Sequence, residues 1–460
     1  MLSFRTSDQL PHGIAIALLA AALLLGGGGS PAPLVEAALQ CLAALMAMLL
    51  VVTAPPLSRF GNMRDPAWII CALMLALPLL QLLPLPPAIW HRLPGHDAQR
   101  AALALISQGD SWRSWSVLPH LTLSSLLAMI PAAMLLVLTA ALPQPWQQRM
   151  IAVIAAAGIL TLLVGAAQMT GAAGNALRFY SIDHSNLLGF QANHNSTADI
   201  LLIALLAMTA GAELWSLKRK LPAGQMFFLL AVLAVSLIVI LGIVLTASRA
   251  GIGFIPIAVL AQIAMLRRHF NFDIRIAARG AIIIAMGAGL MWFFLHDNHV
   301  IAAVLKRFDF SGEFRPEIWK DAAFVMRQYS PFGSGMGTFV PVFMAAERLE
   351  VLDPLIANRA HNDFLELAIE GGAPAILLFL SISGIVFRAG RKALRNASAS
   401  SYPVTIFACA TLLILALHSL VDYPLRSMAL ACVAAVSAGL LLAQSRRYHA
   451  FSDATVKVGE

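Results

Sequence analysis

The chain has 460 residues, of which 59% are hydrophobic and only 12% charged, with a mean hydropathy of +0.80 and a formal net charge of +8 at pH 7. A soluble domain is typically about 45–50% apolar and about 25% charged, so this composition excludes a soluble globular protein and indicates an integral membrane protein. The positive charge is explained by membrane topology, as shown below, and we expect no nucleic-acid partner.

Twelve apolar segments are long enough to be membrane-spanning helices, since a bilayer core of about 30 Å needs roughly 20 residues. They lack the strict two-residue alternation of barrel strands. The sequence therefore predicts an all-α integral membrane protein with about twelve transmembrane helices. In chain order the predicted spans are 13–29, 34–54, 67–84, 119–141, 149–169, 196–214, 225–244, 250–266, 278–295, 363–388, 402–420 and 426–443.

Lysine and arginine orient these spans, because the cytoplasmic loops of membrane proteins are enriched in both residues. With the N-terminus in the cytoplasm, 18 of the 31 lie inside, including the dense clusters "KRK" and "RAGRKALR". Most of the others lie in one long loop, 296–362. We therefore predict cytoplasmic N- and C-termini, an uncleaved first helix, and three long outside segments: 85–118, 170–195 and 296–362.

The second outside segment, "RFYSIDHSNLLGFQANHNSTAD", begins with Arg178 and ends near Asn193 and Asn195. Asparagine is a preferred helix N-cap, so these two residues are suited to starting the next span. Arg178 is the one arginine in this segment, which is predicted to lie outside the cytoplasm. It is a candidate for binding an anion.

The stretch "TASRAG" places Arg249 between two apolar runs, at the rim of the membrane. An arginine there is unfavourable unless it reaches water or lipid phosphate, or binds another anion. The first interpretation is snorkelling to lipid. The second is that the planar guanidinium binds a phosphate of a substrate.

The third outside segment contains "FRPEIWKDAAFVMRQYSPFGSGMGTF". Arg315 and Trp319 are four residues apart and share one face of a predicted helix that ends near "YSP". The three alternate glycines after it are suited to a close approach to a ligand. The pattern is neither a P-loop nor a dinucleotide-binding fingerprint.

The stretch "RAHNDFLELAIEGG" precedes the tenth predicted span. Asn362 is suited to capping a helix that starts at Asp363, and the glycine pair with Pro374 predicts a bend. Three roles remain open for the polar residues: capping and packing, acid–base chemistry by His361, or metal binding by His361, Asp363 and Glu366. The spacing matches no zinc motif.

A last polar cluster, "ALHSLVDYPLR", ends the eleventh predicted span. His418 and Asp422 are one helical turn apart, and Arg426 follows. The two are suited to a hydrogen bond with each other and to lining the same outer vestibule. Alternatively, they satisfy the polar groups of a helix end.

Taken together, these motifs resemble the O-antigen ligases and the related Wzy-type polysaccharide polymerases. The resemblance extends from about Arg178 to about Arg426, and the elements occur in the family's order. The matching residues are Arg178, Gly189, Phe190, Asn193, Asn195, Ala198, Arg249, Arg315, Trp319, Pro331, Gly333 or Gly335, His361, Asn362, Leu365, Glu366 and Gly371.

The resemblance implies a GT-C-like glycosyltransferase of the bacterial inner membrane, with its active site facing the periplasm. Such an enzyme transfers a glycan from undecaprenyl diphosphate to an acceptor hydroxyl on a glycan or on lipid A–core, without metal or cofactor. By resemblance, Arg178 and Arg249 hold the diphosphate and His361 activates the acceptor. Support or substrate binding is then expected from Arg315, Trp319, Asn193, Asn195, Asn362, Glu366, His418 and Asp422.

On this basis the sequence divides into N-terminal helices at 1–177, a catalytic region at 178–443 that includes the periplasmic loop 296–362, and a cytoplasmic tail at 444–460. The motifs do not separate a ligase from a polymerase. An alternative from another class is a transporter or flippase of lipid-linked saccharides. That class predicts charged residues near mid-span and related halves of the chain.

Overall fold

The computed structural model describes residues 4–28, 33–53, 64–171, 176–180, 185–222, 225–270, 315–348, 350 and 357–456. Regular structure in these ranges is almost entirely helical. Two short strands, β1 (Pro84–Leu85) and β2 (Arg113–Ser114), pair antiparallel. The helices are α1 (Phe4–Leu25), α2 (Pro33–Thr53), α3 (Pro66–Leu82), α4 (Pro87–Trp90), α5 (Asp97–Leu105), α6 (Pro119–Ala141), α7 (Gln144–Thr170), α8 (His194–Lys218), α9 (Met226–Leu245), α10 (Arg249–Met265), α11 (Arg315–Tyr329), α12 (Phe339–Met344), α13 (Asp363–Arg395), α14 (Tyr402–His418) and α15 (Met428–Val456).

Eleven of the predicted spans coincide with helices, and the remaining one, 278–295, lies outside the described residues. Within the described ranges, seven helices are long and apolar enough to cross a membrane: α2, α6, α7, α8, α9, α13 and α15. Four more, α1, α3, α10 and α14, are apolar but shorter. The all-helical membrane fold is therefore confirmed, while the total of twelve spans stays a prediction.

The outer surfaces of these helices carry large apolar side chains. Phe227 is 81% exposed and Leu163 is 61% exposed, although both lie within helices of strongly apolar sequence. Long apolar helices with many such exposed side chains are unusual in soluble monomers, which rarely expose large apolar patches. Such exposure suits helices whose outer faces contact lipid chains.

Polar residues at the predicted helix starts adopt the expected capping geometry. The side chain of Asn193 accepts a hydrogen bond from the Asn195 backbone N–H, and that of Asn362 accepts one from Leu365. Ser248 does the same for Gly251 at the start of α10. Each cap satisfies a backbone donor that has no partner within its helix.

The structure separates into two compact units, of which the first comprises Met1–Met150, Glu313–Ala397 and Thr411–Glu460. Of its long apolar helices the most buried is α15, which packs against α6, α13 and α1. A Cβ at Gly439 would lie 2.9 Å from the carbonyl oxygen of Leu136. A small residue there allows α15 and α6 to approach closely, as is common between membrane helices.

The second unit comprises Ile151–Gly312 and Ser398–Ala410, and α8 lies at its centre between α9 and α10. A buried polar group joins these three helices. The Nε2 atom of Gln262 in α10 donates to the hydroxyls of Thr209 in α8, at 2.7 Å, and Ser236 in α9, at 2.9 Å. Such bonds stabilise helix pairs in lipid because water does not compete for them.

The predicted bend in α13 is a break at Gly372, whose backbone has φ +59° and ψ −154°. The break leaves the carbonyl groups of Ile369 and Glu370 without helical partners. The glycine-rich loop satisfies them: Ser334 N–H donates to Ile369 at 3.0 Å, and Gly335 N–H donates to Glu370 at 2.9 Å. The loop after α11 therefore repairs the discontinuity in α13.

Candidate active site

His361 lies in the first unit, two residues before α13, and its backbone has φ +48°. This left-handed conformation is uncommon for a residue with a Cβ, although histidine adopts it more readily than most. Neighbouring groups hold it in place. The carbonyl of Ala360 accepts a hydrogen bond of 2.8 Å from the Trp319 indole, and its N–H donates to Glu366 at 3.2 Å.

The segment after His361 is tied to the turn that follows α14. The side chain of Asn362 donates to the Leu420 carbonyl at 3.0 Å, while the Asp363 N–H donates to Ser419 at 2.9 Å. The Asp363 carboxylate in turn accepts from the Ser419 hydroxyl and the Leu425 N–H. The backbone before and after His361 is thus held by residues that are distant in sequence.

The His361 imidazole is paired with Asp422 through an Nδ1–Oδ1 distance of 3.0 Å. Burial raises the pKa of the Asp422 carboxyl, but the His361 hydrogen bond and the charges of His361, His418 and Arg315 lower it more, so that the pKa lies below its usual value. An ionised carboxylate only accepts hydrogen bonds. Nδ1 of His361 must therefore carry the proton, which leaves Nε2 of the neutral ring free to accept another.

The imidazole is accessible, whereas its partner is not. The side chain of His361 is 27% exposed and that of Asp422 is 2% exposed. The ring of Tyr423 packs edge-on against His361 with centroids 5.1 Å apart. This combination of a reachable imidazole and a buried orienting carboxylate is typical of a general base.

The sequence left open a hydrogen bond between the side chains of His418 and Asp422. Their side-chain atoms Nε2 and Oδ2 are 3.9 Å apart, which is ion-pair distance, and the Asp422 backbone N–H donates a hydrogen bond of 2.9 Å to the His418 carbonyl. The Asp422 side chain instead hydrogen-bonds to His361, because the turn after α14 brings it against the start of α13. His418 is buried and contributes a nearby charge to Asp422 when protonated.

Beside this pair, buried acidic groups on α13 surround arginine side chains. Glu366 accepts a hydrogen bond of 2.8 Å from Arg359, and Glu370 accepts one of 2.8 Å from Arg426. Burial lowers the pKa of Arg426, but the charges of Glu366, Glu370 and Asp363 raise it further, and the net change is upward. Arg426 is therefore a permanent cation in this cluster.

Of the two residues singled out on α11, Trp319 contacts the site through Ala360 and Arg315 acts through its charge near Asp422. The glycine-rich loop makes close contacts with other parts of the protein. Gly333 and Gly335 have positive φ, but a Cβ on either would meet protein atoms: Glu370 O at 2.5 Å for Gly333 and Ser116 Oγ at 2.2 Å for Gly335. These glycines allow close packing within the protein.

The candidate anion-binding arginines lie in the second unit. Arg178 is exposed. The carbonyl of the preceding residue, Leu177, accepts a hydrogen bond of 2.7 Å from the Gln168 side chain. The same side chain exchanges hydrogen bonds with both the N–H and the carbonyl of Gly189. Gly189 has φ +63°, and a Cβ there would lie 2.6 Å from the Thr161 side chain. Gln168 therefore ties the segment carrying Arg178 to the glycine of the next motif.

Arg249 is the first residue of α10 and is half-buried. The turn before it is linked to the Gly189 segment, since the Leu187 N–H donates a hydrogen bond of 3.0 Å to the Leu245 carbonyl. Gly251 allows the start of α10 to lie against α8, because a Cβ there would be 2.4 Å from the Ala198 Cβ. Contiguous contacts thus connect the segments that carry Arg178, Asn193, Asn195 and Arg249.

The remaining alternative from the sequence was a metal site. Among the residues that the structure describes, no group of three or more His, Cys, Asp or Glu side chains is arranged to hold a metal ion. Asp363 and Glu366 instead contact Arg426. Metal-free chemistry stays a prediction.

Sequence reasoning missed the roles of Gln168, Arg359, Glu370 and Arg426. Gln168 lies at the end of an apolar helix. No local sequence pattern predicts that its side chain bridges two loop segments. For the arginines a signal existed: acidic residues at the start of a membrane helix need partners, and two arginines lie near them in the same motifs.

Comparison with known proteins agrees with the motifs. Residues 233–380 match the model of the O-antigen ligase family. The matched range contains Arg249, Arg315, Trp319, His361 and Glu366, whereas Arg178, Asp422 and Arg426 lie outside it. Comparison with curated proteins gives no match.

Proposed function

Since the chain carries an O-antigen ligase domain at residues 233–380, we propose that it transfers a glycan from undecaprenyl diphosphate to an acceptor hydroxyl on the periplasmic side of the bacterial inner membrane. Two members of this reaction class remain candidates. A ligase joins the glycan to lipid A–core, and a polymerase joins it to another lipid-linked glycan.

The His361–Asp422 pair is the observation that carries the proposal. With Nδ1 donating to Asp422, Nε2 takes the proton from the acceptor hydroxyl. The acceptor oxygen forms a bond with the anomeric carbon, and the bond between that carbon and the diphosphate oxygen breaks. The lipid diphosphate leaves with the electron pair. His361 carries the proton until it is released to water.

Arg178 and Arg249 are the proposed diphosphate ligands. The leaving group departs readily when its negative charge is offset, so the enzyme mainly has to neutralise and position it. Guanidinium groups bind phosphate oxygens in pairs and stay charged. Two such groups supply the charge that a metal ion provides in other phosphate sites, so we propose that no metal or cofactor is needed.

The other polar residues have supporting roles in this scheme. Asn362 and Trp319 hold the backbone around His361, and Asn193 and Asn195 start the helix after the Arg178 segment. Arg315, Glu366 and His418 shape the electrostatics around Asp422 and Arg426. The donor's lipid tail lies in the bilayer while its sugar is in the periplasm, which suits a base placed just before a membrane helix.

Removing the gene from its bacterial host and examining the surface glycans by gel tests this function. A ligase predicts loss of polymer-capped lipopolysaccharide while lipid-linked polymer persists. A polymerase predicts products that carry a single repeat. Unchanged surface glycans with an unchanged lipid-linked pool would contradict both. Activity of the purified protein on a lipid-diphosphate-linked glycan in excess chelator would support the metal-free scheme.

A further inference from the structure

The guanidinium of Arg426 contacts three acidic side chains on one face of α13. Its Nη1 lies 2.8 Å from Glu370 Oε2, and its Nε lies 3.3 Å from Glu366 Oε1 and 3.7 Å from Asp363 Oδ1. The Arg426 side chain is 15% exposed, and the three carboxyl groups are buried. Residues spaced three and four apart share a helix face, so one arginine on a neighbouring turn reaches all three.

The cluster has fewer arginines than carboxyl groups. Among the described residues, the cations paired with these carboxyl groups are Arg426 and Arg359, the latter 2.8 Å from Glu366. Without Arg426, one guanidinium would remain for three buried acidic groups. A buried charge that loses its partner is strongly destabilising. The helix start would then be expected to shift, or a carboxyl group to take up a proton.

The cluster also borders the proposed base on both sides in sequence. Glu366 accepts a hydrogen bond from Ala360, the residue before His361, at 3.2 Å. Asp363, two residues after His361, accepts from Leu425, the residue before Arg426, at 3.1 Å. Arg426 itself ends the short turn that begins two residues after Asp422.

We propose that Arg426 is a positioning residue, which holds the start of α13 against the 424–426 turn and so keeps His361 hydrogen-bonded to Asp422. No reacting atom needs to touch it. The strained backbone at His361 requires such support, because an unfavourable φ persists only when its surroundings fix it.

This inference rests on the proposed function only for its effect on rate. A small displacement of a reacting group can lower a rate by about 10²-fold, so Arg426→Gln should lower kcat for glycan transfer by about that factor with little change in donor KM. Arg426→Lys should be intermediate, since a point charge replaces a planar fork.

A spectroscopic measurement tests the positioning role without any substrate. The ¹⁵N resonances of the His361 ring show which nitrogen carries the proton, and His361→Asn identifies them by subtraction. The neutral ring in the native protein in nanodiscs should show the Nδ1–H form, because Nδ1 lies 3.0 Å from Asp422 Oδ1. Arg426→Gln and Asp422→Asn should each lose this single form and show a mixture.

Two further variants separate positioning from loss of structure. Arg446→Gln removes an arginine that is paired with Asp65 in the same unit. Arg446 lies about 27 Å from the start of α15, at 1.5 Å per residue. This variant should leave the His361 signal unchanged. Arg426→Gln combined with Glu370→Gln removes one cation and one acid together. The remaining amide oxygen still accepts from Phe339 N–H, so this pair should restore the Nδ1–H form.

The outcomes are distinct. An Arg426→Gln protein with the native His361 signal would overturn the proposal, even with lower activity, because the loss would then have another cause. Failure of the double variant to restore the signal would overturn the charge-balance argument. If the native protein shows the expected signal and no glycan transfer, the proposed function fails while the positioning role of Arg426 stands.

Discussion

At His361, an uncommon backbone conformation and an accessible imidazole occur in the same residue. Strain of this kind costs about 1–3 kcal/mol, and hydrogen bonds to Ala360, Asn362 and Asp363 offset it. The side chain is then held where its Nδ1 meets Asp422. Such an arrangement is more than helix capping requires, since Asn362 alone caps α13.

The first prediction separates these two roles of the motif. His361→Asn keeps a residue that adopts left-handed backbone angles readily, so the protein should fold and insert normally. An amide cannot take a proton, so glycan transfer should fall by about 10²–10⁴-fold. Activity of the purified variant is the measurement, with thermal unfolding as control for folding. An active His361→Asn enzyme would contradict a base at this position.

The second prediction concerns the arginines of the second unit. Arg178→Lys and Arg249→Lys each keep the positive charge but lose the planar fork that binds two phosphate oxygens. Each should weaken transfer strongly and raise the KM for the lipid-linked donor. Lys218→Arg, a change within a predicted cytoplasmic cluster, is the matched control and should have no effect. Full activity of either lysine variant at normal expression would remove that arginine from the diphosphate site.

Local features of the site could be predicted from the sequence, whereas long-range pairs could not. Asn193 and Asn362 cap their helices because a cap depends on residues two or three positions away. The pairing of His361 with Asp422 spans 61 positions and leaves no mark in either local pattern. Spacing alone therefore suggested only the nearer partner, His418, whose side chain lies at ion-pair distance from Asp422.

At the level of the element, the break in α13 is specified by glycine. Gly372 adopts φ +59° and ψ −154°, a region that is essentially restricted to glycine. A Cβ there would lie 2.1 Å from the Pro331 carbonyl oxygen. The bend was predicted from the glycine pair and Pro374. The alternate glycines of the loop that accompanies it also indicated a close approach, but not to what, because glycine lets a ligand and a protein backbone approach equally well; at Gly333 and Gly335 the close atoms belong to the protein.

The third prediction compares two glycines of α13. Gly372→Ala adds about 1–3 kcal/mol of backbone strain and a steric clash, so the protein should unfold at lower temperature and lose activity, because Glu370 on the preceding turn binds Arg426. Outside the backbone of its own helix, no atom of the described residues lies within 4 Å of a Cβ added at Gly384. Gly384→Ala should stabilise the helix by about 0.5–1 kcal/mol. Both are measured by thermal unfolding in detergent.

The test is which of the two variants, Gly372→Ala or Gly384→Ala, unfolds at the lower temperature. A Gly372→Ala protein that is as stable as Gly384→Ala would show that the break in α13 is not required by the fold. A destabilised Gly372→Ala protein whose remaining folded fraction keeps full activity would show instead that the break is structural and does not affect the base.

For the whole molecule, composition determined the class and hydropathy located the helices, because lipid requires about 20 apolar residues per span. The division into two units could not be predicted from the sequence. Residues 398–410 belong with the second unit, while the rest of the chain beyond 313 belongs with the first. Such contacts depend on which apolar faces meet, and uniformly apolar helices do not record this in their periodicity.

The final prediction is the orientation of the whole chain, which decides whether His361 faces the compartment where lipid-linked glycans are used. Counting lysine and arginine places both termini and the cluster at 218–220 inside, and the loop 296–362 outside. Reporter fusions at Asn298 and at the C-terminus should therefore lie in opposite compartments. A third fusion after Lys220 should agree with the C-terminus and serves as the internal control.

The topology and the proposed chemistry depend on each other. Asn298 and His361 belong to the same predicted outside loop, with α13 as the next predicted span. If Asn298 is periplasmic, the base lies on the side of the membrane that the proposed donor's sugar occupies. If Asn298 and the C-terminus report the same compartment, the number of spans between them is even and the predicted topology is wrong. A cytoplasmic Asn298 would place His361 where nucleotide-activated sugars are available, and the proposal of a periplasmic lipid-linked donor would have to be abandoned.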